Sequence, residues 1–517
     1  MRTGEPVERE KPCVALLTFT DMREEGISSE SVERHLKQKQ NELAGFLGGS
    51  GIQAVDPLGE MRTESSPCYG VRSFKEIDVV MGILSRSRVD AAIIGSWTWS
   101  PPMLVKEFVR KFNRPIMYYT ENDPMAGSLS QMSATCASLM EWSANRFALA
   151  HERNFGDRKG MLSWVRGVHA AAQMRESAAM LWGGTYAVRM EQLQDDIPKL
   201  KSFMIRDILM EDQYVLISRA EKIIHTQKDR IAAFYEWLTR NGMTLRRDPK
   251  MVTEAALAKQ AALLLAARDR LGELESENIR GVSIKCQPEI YSEYGVNACT
   301  LPAFLPFMEN EQGSQDSWPT VCEGDIKGLL TSMLLHAINP DVPPAFGDLV
   351  SVGDDHIEFA NCGAGSVFWA GNSGKARDVL PLVQAGANIH GNSGAAFGFF
   401  GVEAPQVTIG RLTRINGRYF MQLGTGKELD ARKFLEKTLG GNEKSHLAGT
   451  WGKVIVDLGV KGENFVKVIG ANHLSATLGD VTAEVETACR LWGISVVRLD
   501  SDDEMKRFYR EVRTFVQ

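Results

Sequence analysis

The sequence predicts an α/β fold, in which two α/β domains with parallel sheets are followed by a mainly β C-terminal domain. Three observations predict it. Short, continuous apolar segments alternate with amphipathic segments in the first third of the chain, the alternation begins again near Arg158, and a glycine-rich β-type sequence follows Pro344. Continuous apolar strands that alternate with helices are typical of parallel sheets covered on both faces.

The length of 517 residues exceeds what one hydrophobic core usually supports. We therefore expect three domains: an N-terminal, Rossmann-like α/β domain over residues 1–176, a second α/β domain over residues 177–345, and a β-rich domain with a terminal helix over residues 346–517. The second domain carries the first of the candidate metal ligands described below.

The first domain is predicted from apolar segments of strand length and the helical segments between them. The strands are Cys13–Phe19, Ile52–Val55, Ala91–Ile94 and Ile116–Tyr119, and the helices are Ser31–Phe46, Phe74–Leu84 and Met103–Phe112. Ligands bind such sheets at the carboxyl ends of their strands. The segments Thr20–Arg23 and Gly95–Trp99 are therefore candidate binding loops.

The second domain repeats this pattern. A helix from Arg158 through Ala178 leads to the strand Met180–Val188, which carries two glycines, and the helix Ala255–Leu271 precedes the strand Gly281–Cys286. We expect these strands to form a second parallel sheet.

The third domain is predicted from a β-hairpin signal. The strands Val407–Leu412 and Tyr419–Leu423 flank Asn416-Gly417, a dipeptide that favours the positive φ angles of a tight hairpin turn. Asp480 is a candidate cap for a helix that runs to Leu491.

Composition excludes several classes of partner and reaction. The net charge of −6 gives no reason to expect a nucleic-acid or membrane partner, which leaves a small polar substrate. Eight cysteines without a CxxC pair argue against a zinc knuckle or a redox dithiol and suit a reducing cytosol.

No apolar leader follows the charged N-terminus, so we expect a cytoplasmic protein. The absence of GxxxxGK[ST], HExxH and GxSxG motifs removes the usual support for kinases, zincins and hydrolases.

The candidate chemistry lies between Cys322 and Asp348. Carboxylates favour a helix N-terminus, which explains Asp325 at the start of a predicted helix over residues 325–337. It explains Glu323 less well, because Cys322 and Gly324 indicate a corner between a strand and a helix. Asp348, taken alone, is explained as a turn aspartate.

His473 is the third candidate residue, at the end of an apolar strand within Val468–Leu474. A lone histidine there is more often structural than a ligand. Two carboxylates and an imidazole together, with open positions for substrate oxygens, suit a hard divalent ion such as Mn²⁺ or Mg²⁺.

Four motifs in order give the chain a specific resemblance: Ile284–Glu289, Cys322–Asp325, Gly347-Asp348 and Asn472-His473. In this order the sequence resembles the L-fucose/L-arabinose isomerase family over essentially its whole length. The resemblance implies a divalent metal, Mn²⁺ with Mg²⁺ and Co²⁺ as alternatives, held by Glu323, Asp348 and His473. It also implies that Gln287 and Asn472 contact a sugar.

Less specific matches imply further sugar contacts by Arg23 and by an indole, Trp97 or Trp451. The resemblance also implies a homo-oligomer, a trimer or hexamer, in which a neighbour completes the site. Trp97 is a candidate for that contribution; the alternative is that Trp97 and Trp99 pack under their own loop.

The implied reaction is aldose–ketose isomerisation of a free monosaccharide through an enediol intermediate. It moves a proton between neighbouring carbons, which suits a carboxylate placed above the C1–C2 bond, and a metal polarises the carbonyl. We predict that Glu323 and Asp348 form the acid/base pair, and either can take the carbon-bound proton.

One segment departs from the family's sequence pattern, so other functions remain open. Many relatives carry His-Cys-Gly where this chain has Asn361-Cys362-Gly363. The alternatives are a sugar-binding protein and a catalytically degenerate homologue with a regulatory or assembly role. The sugar also stays open: a 6-deoxy hexose, a pentose, or a hexose with an anionic C6 substituent. Lys285, Lys375 and Arg411 are candidates for binding that anion, and each is also explained as a surface charge.

Overall fold

A computed structural model describes residues 10–21, 29–62, 68–123, 127–143, 145–185, 187–388, 393–439 and 451–514. The chain forms two compact units. The N-terminal unit comprises the described part of Glu8–Ala172 and Glu486–Leu491, and the C-terminal unit comprises the described part of Gln173–Val485 and Trp492–Gln517.

The N-terminal unit contains a five-stranded parallel sheet in the order β2-β1-β3-β4-β5. Its strands are β1 (Cys13–Thr18), β2 (Gln53–Val55), β3 (Ala91–Gly95), β4 (Ile116–Thr120) and β5 (Glu152–Phe155). Every residue of β1, β3 and β4 is buried, as continuous apolar strands require. The predicted buried strand at Ile52–Val55 is a shorter edge strand whose residues are exposed or half-buried, because it pairs on one side only.

Helices cover this sheet. They are α1 (Glu30–Gly49), α2 (Pro57–Met61), α3 (Phe74–Leu84), α4 (Pro102–Phe112), α5 (Ser128–Glu141), α6 (Arg146–Leu149) and α7 (Arg158–Glu176). α1 starts where the Ser29 hydroxyl accepts a hydrogen bond from the Val32 amide, and it buries Leu36, Leu43 and Leu47 on one face.

The C-terminal unit begins with a four-stranded parallel sheet in the order β12-β9-β6-β7. Its strands are β6 (Ala178–Trp182), β7 (Asp207–Glu211), β9 (Ile279–Ile284) and β12 (Thr320–Cys322). The predicted strand Met180–Val188 was too long and began too late. It ends at Trp182 because Gly183 and Gly184 have φ angles of +88° and +72°, which are incompatible with a strand.

Helices of several lengths complete this unit. The α-helices are α8 (Ile197–Phe203), α9 (Tyr214–Thr226), α10 (Lys228–Arg240), α11 (Glu254–Glu273), α12 (Thr300–Phe304), α13 (Ile326–Ile338), α14 (Ala376–Val379), α15 (Ala431–Leu439), α16 (Gly462–Val468), α17 (Thr482–Trp492, shared with the N-terminal unit) and α18 (Asp502–Thr514). Single turns of 3₁₀-helix occur at Ala187–Arg189, Glu191–Leu193, Glu275–Glu277, Val367–Ala370 and Leu380–Leu382, and a π-helix at Glu289–Glu293.

The remaining strands form a ten-stranded, mainly antiparallel sheet in the order β21-β18-β17-β20-β13-β14-β19-β16-β15-β8, apart from the hairpin of β10 (Glu309–Asn310) and β11 (Gly313–Ser314). Its strands are β8 (Thr244–Leu245), β13 (Ala345–Val352), β14 (Ile357–Ala360), β15 (Gln384–Ala387), β16 (Ala395–Phe400), β17 (Ala404–Ile415), β18 (Arg418–Glu428), β19 (Gly452–Asp457), β20 (His473–Leu478) and β21 (Ser495–Arg498). β18 also pairs with β19, which closes six of these strands into a barrel.

The predicted fold class is confirmed: parallel α/β sheets precede a barrel-containing β region. The hairpin turn lies where expected, with Asn416 and Gly417 at φ angles of +46° and +77°. β8, from within the predicted second domain, pairs with β15 of the large sheet. The domain boundaries at residues 176 and 345 stay a proposal.

Among the described residues, no helix combines the length and apolar character that a membrane span requires.

Candidate active site

Glu323 lies at a sharp corner between β12 and α13. β12 is the parallel neighbour of β9, and the Glu323 amide continues this pairing by donating to the Ile284 carbonyl at 2.9 Å. Glu323 and Gly324 then have φ angles of +66° and +70°. A Cβ on residue 324 would lie 2.5 Å from the Gly184 carbonyl oxygen, so only glycine fits there. The corner therefore holds Glu323 at the carboxyl edge of the parallel sheet.

Asp348 and His473 are placed together by strand register. β13 and β20 are antiparallel neighbours, and Asp348 is the direct partner of His473. Asp348 is thus a strand residue and not a turn aspartate. His473 begins a strand, whereas we expected it at a strand end, because Gly462–Val468 forms α16.

The three predicted metal ligands converge. One ligand atom from each of Glu323, Asp348 and His473 lies within 4.8 Å of the other two. His473 Nε2 is 3.1 Å from Glu323 Oε2 and 3.3 Å from Asp348 Oδ1. The first distance is that of an ion pair, but neither atom makes a hydrogen bond within the described structure. Two carboxylates and an imidazole nitrogen, two of them with unsatisfied buried atoms, fit a hard divalent cation.

Two further charged side chains, Asp325 and Arg411, lie on the Nδ1 side of His473. Its Nδ1 donates to Asp325 Oδ2 at 2.8 Å, and Asp325 also pairs with Arg411. All three side chains are fully buried. Asp325 Oδ1 accepts from the Gly328 amide at 2.9 Å, so the expected helix cap is present. The sequence analysis missed that the same carboxylate fixes which nitrogen of His473 faces Glu323 and Asp348.

These contacts shift two pKa values. Burial lowers the pKa of His473, but the carboxylates of Asp325, Asp348 and Glu323 raise it by more, so it stands well above its ordinary value. Burial raises the pKa of Asp325, but Arg411 and His473 lower it by more, so this carboxyl stays ionised.

The predicted sugar contacts Asn472 and Gln287 both lie near these residues. Asn472 Nδ2 donates to Asp348 Oδ1 at 2.7 Å, and its own oxygen accepts from Gln192 at 3.0 Å. Gln287 follows β9 and lines a small cavity together with Glu323. Contact of either residue with a sugar stays a prediction.

The less specific candidates are Arg23, Trp97 and Trp451. Arg23 lies outside the described residues. Trp97, in the N-terminal unit, is 3% exposed, donates to Gln40 Oε1 at 3.1 Å and packs edge-on against Tyr119, as the packing alternative expected. Trp451 is half-buried just before β19, and its carbonyl accepts from Lys453. Their roles in sugar binding stay predictions.

Of the three cations considered for a C6 anion, Arg411 was wrongly explained as a surface charge, because it is fully buried against Asp325. Lys285 binds Glu289 at 2.6 Å, and Lys375 is exposed before α14.

The loop that departs from the family pattern lies beside Glu323. The Cys322 thiol donates to Asn361 Oδ1 at 3.1 Å, and both residues are buried. Cys286, Cys299, Cys322 and Cys362 all line the same cavity. The sequence analysis missed this cluster because the four thiols come from four separate segments.

Comparisons with known proteins agree with this geometry. Residues 359–500 match the family model described as L-fucose isomerase, C-terminal domain. A sulfoquinovose isomerase of Alkalicoccus urumqiensis is 21% identical over 458 residues, which is 84% of this chain and 92% of that protein. Sulfoquinovose isomerases of Priestia aryabhattai and Priestia megaterium are each 27% identical over 164 residues, which is 31% of this chain and 33% of each relative.

The family match covers the segment from β14 to β21, which contains His473, and the first relative extends over most of the chain. These similarities confirm the resemblance that the four motifs indicated. Residues 359–500 are thus similar to the L-fucose isomerase C-terminal domain, and the chain is similar over most of its length to a sugar isomerase.

Proposed function

We propose that this protein is a metal-dependent aldose–ketose isomerase that converts a free monosaccharide through an enediol intermediate. Glu323 and Asp348 form the acid/base pair, and together with His473 they hold the divalent metal, Mn²⁺ by preference. The observation that carries the proposal is the convergence of these three side chains within 4.8 Å, although Glu323 follows a strand of the parallel sheet and the other two lie on the ten-stranded sheet.

A bound Mn²⁺ would supply Lewis-acid polarisation of the sugar carbonyl. The protein supplies the proton transfer. Glu323 and Asp348 are 10% and 25% exposed, so each combines restricted access to water with access for a small substrate. A carboxylate in such a position can remove the proton from C2 of an aldose and return it to C1.

Asn472 and Gln287 orient the reacting groups in this proposal. The hydrogen bond from Asn472 to Asp348 restrains the carboxylate, and the contact with Gln192 restrains Asn472 in turn. Gln287 follows β9, the parallel neighbour of the strand that leads to Glu323, and its amide can donate a hydrogen bond to a sugar hydroxyl.

An open cleft at the carboxyl edge of the parallel sheet is large enough for a monosaccharide, although none of Glu323, Asp348 and His473 lines it. It has a volume of about 630 Å³ and begins at Gly183-Gly184, where the Gly184 carbonyl approaches Gly324. Small-molecule sites commonly have volumes of roughly 300–1,000 Å³. By contrast, the cavity that contains the thiols is about 30 Å³, which excludes a sugar.

A sulfonated sugar is the second candidate for the substrate, because the three relatives are named sulfoquinovose isomerases. An anionic C6 substituent needs a cation, and Lys285 at the carboxyl end of β9 is the nearest in sequence to the predicted sugar contact Gln287. Neutral and sulfonated aldoses would undergo the same isomerisation reaction and differ only in the group on C6.

We further propose a homo-oligomer, a trimer or hexamer, with the site completed by a neighbour. A clean monomer by light scattering at working concentration would count strongly against a shared site. Metal content separates the isomerase from a sugar-binding or degenerate homologue, which need not hold one Mn²⁺ per chain.

The test is a panel of aldoses, with sulfoquinovose, a 6-deoxy hexose and a pentose among them, incubated with Mn²⁺-loaded protein. Ketose formation is measured directly. We expect turnover of at least one aldose that depends on Mn²⁺, together with exchange of one carbon-bound hydrogen with deuterated water. Stoichiometric Mn²⁺ binding without turnover of any aldose would overturn the proposed activity.

A further inference from the structure

Four of the eight cysteines converge beside the proposed catalytic carboxylate. Cys286 follows β9, Cys299 precedes α12, Cys322 ends β12 and Cys362 follows β14. All four are free thiols that line a cavity of about 30 Å³ together with Glu323 and Asn361. A cavity of this size has room for a water molecule or a single ion.

Three potential ligand atoms of one ion lie near one another at this cavity. The sulfur atoms of Cys322 and Cys362 and a carboxylate oxygen of Glu323 all lie within 4.8 Å of one another. With zinc–sulfur distances of ~2.3 Å and zinc–oxygen distances of ~2.0–2.2 Å, the ligands of a tetrahedral ion lie roughly 3.3–3.8 Å apart. Side-chain rotations that move these atoms by about 1 Å would bring them to ligating distance.

One buried polar atom at the cavity supports a ligand there. Asn361 Nδ2 makes no hydrogen bond with any described residue, although Asn361 is 2% exposed. A buried polar atom without a partner is destabilising, so such atoms commonly mark a bound water or ion. The carboxylate can ligate a cation, and the amide can donate to a water or anion that completes its coordination.

We propose that Cys322, Cys362 and Glu323 bind a thiophilic divalent cation of the zinc class, at a site that shares only Glu323 with the Glu323–Asp348–His473 centre. Thiolates favour zinc and cadmium, whereas carboxylates with an imidazole accept manganese. Glu323 belongs to both donor sets, so the two ions compete for one carboxylate. Metal binding by the two thiols does not depend on the proposed function. The competition between the two metal ions for Glu323 does rest on the proposed function.

The binding step involves no change of oxidation state. Two sulfur–metal bonds form, the two thiol protons pass to the buffer, and the Glu323 carboxylate supplies the third bond. A thiophilic ion would thereby withdraw a ligand and a catalytic base from the isomerase centre, and we expect Zn²⁺ and Cd²⁺ to inhibit at concentrations where Mn²⁺ activates.

Cadmium titration of the full-length protein tests the site, because thiolate-to-cadmium charge transfer absorbs in the ultraviolet. We expect a band that saturates at one Cd²⁺ per chain. Cys322→Ser and Cys362→Ser should each weaken binding by at least ~10-fold, as loss of one metal ligand does. Cys68→Ser, which changes a half-buried thiol of the N-terminal unit, is the matched control and should leave the band unchanged.

Absence of the band at one equivalent, or a band that survives both substitutions, would overturn the site. Glu323→Gln should keep the charge-transfer band but weaken Cd²⁺ binding. Unchanged affinity in this variant would remove Glu323 from the ligand set. Near-ultraviolet circular dichroism establishes that each variant is folded, and Cys362→Ser keeps the test valid if the buried Cys322→Ser does not fold.

Competition is measured by the paramagnetic resonance of free Mn²⁺. Cd²⁺ should release Mn²⁺ from the wild-type protein at least ~10-fold more readily than from Cys362→Ser, since only the wild type offers both thiol ligands. Equal release from both proteins would overturn the sharing of Glu323. If the wild-type protein binds no Mn²⁺ but shows the cadmium band, the proposed isomerase centre is refuted and the thiol site is supported.

Discussion

Asp325 and Glu428 are two buried carboxylates of the C-terminal unit that differ in their partners. Both are 0% exposed. Asp325 contacts the Arg411 guanidinium and the His473 imidazole, whereas Glu428 has one hydrogen-bond partner among the described residues, the Asn372 amide at 3.4 Å. The pKa of Asp325 is lowered by its partners despite burial, but burial raises the pKa of Glu428 to about 8.

The comparison shows that burial alone neutralises a carboxyl group, and that a buried carboxylate needs a cation beside it to stay charged. At the candidate centre, Arg411 and His473 stabilise the charge of Asp325. No described cation does this for Glu428. The cluster of charged groups around Asp325 is therefore a sign of a functional site, whereas Glu428 is a buried carboxyl group without a charged partner.

The largest expected effect is the loss of a reacting carboxylate. Glu323→Gln keeps the shape of the side chain but removes its charge and its basicity. We expect isomerisation to fall by at least ~10²–10⁴-fold, as for other lost acid–base groups, and Asp348→Asn to behave likewise. The measurement is kcat on the best aldose of the panel at saturating Mn²⁺.

The control for this prediction is Glu428→Gln, the same substitution at the other buried glutamate. It should keep kcat within about twofold, because Glu428 is not among the converging ligands. Retention of wild-type kcat by Glu323→Gln would remove this residue from the mechanism.

A smaller effect is expected at Asp325, which acts through His473. Asp325→Asn removes the charge that holds the Nδ1 proton of His473. Changes to such groups behind a metal ligand commonly cost ~10–100-fold in metal affinity. We expect the dissociation constant for Mn²⁺, measured by paramagnetic resonance, to rise by that factor.

Asp196→Asn is the matched control, because Asp196 also caps a helix, α8, but contacts no residue of the centre. If both variants lose thermal stability to the same extent and neither changes Mn²⁺ affinity, Asp325 is only a helix cap. The observation of a weakened Mn²⁺ site in Asp325→Asn alone supports its role in positioning His473.

The sequence predicted the strands whose side chains are apolar throughout, because burial on both faces leaves a local signal, as at β1, β3 and β4. It also predicted the corner at Glu323 from Cys322 and Gly324. It could not predict that Asp348 faces His473, since strand register depends on distant pairing. The Asp325–Arg411 ion pair and the convergence of the four thiols could not be predicted for the same reason, because each contact joins segments that are far apart in the chain.

Gly324→Ala tests whether the backbone at the corner holds Glu323 in place. The φ angle of +70° costs a non-glycine residue ~1–2 kcal/mol, and the added Cβ would meet the Gly184 carbonyl oxygen at 2.5 Å. Gly459→Ala is the control, since its φ angle is +67° but a Cβ there meets nothing within 4 Å. We expect chemical denaturation to show a larger loss of stability for Gly324→Ala. Equal losses would mean that the corner relaxes without strain.

The last prediction concerns Glu428 and the pH dependence of stability. Its ordinary pKa is 4.5 and burial raises the pKa in the folded protein to about 8. Between these values the unfolded chain has lost the proton that the folded protein keeps, so the free energy of unfolding falls as pH rises, by about 1.4 kcal/mol per pH unit for this group. Below pH 4.5 and above pH 8 this contribution is constant.

Glu428→Gln removes that contribution. The difference in the free energy of unfolding between wild type and variant should therefore shift in favour of the variant as the pH rises from 5 to 8. Glu436→Gln, at an exposed position of α15, is the control and should follow the wild type at every pH. Urea denaturation of the three proteins at four pH values within this window measures the difference. A constant difference between wild type and Glu428→Gln would show that Glu428 is ionised in the folded protein, and the contrast with Asp325 would then fail.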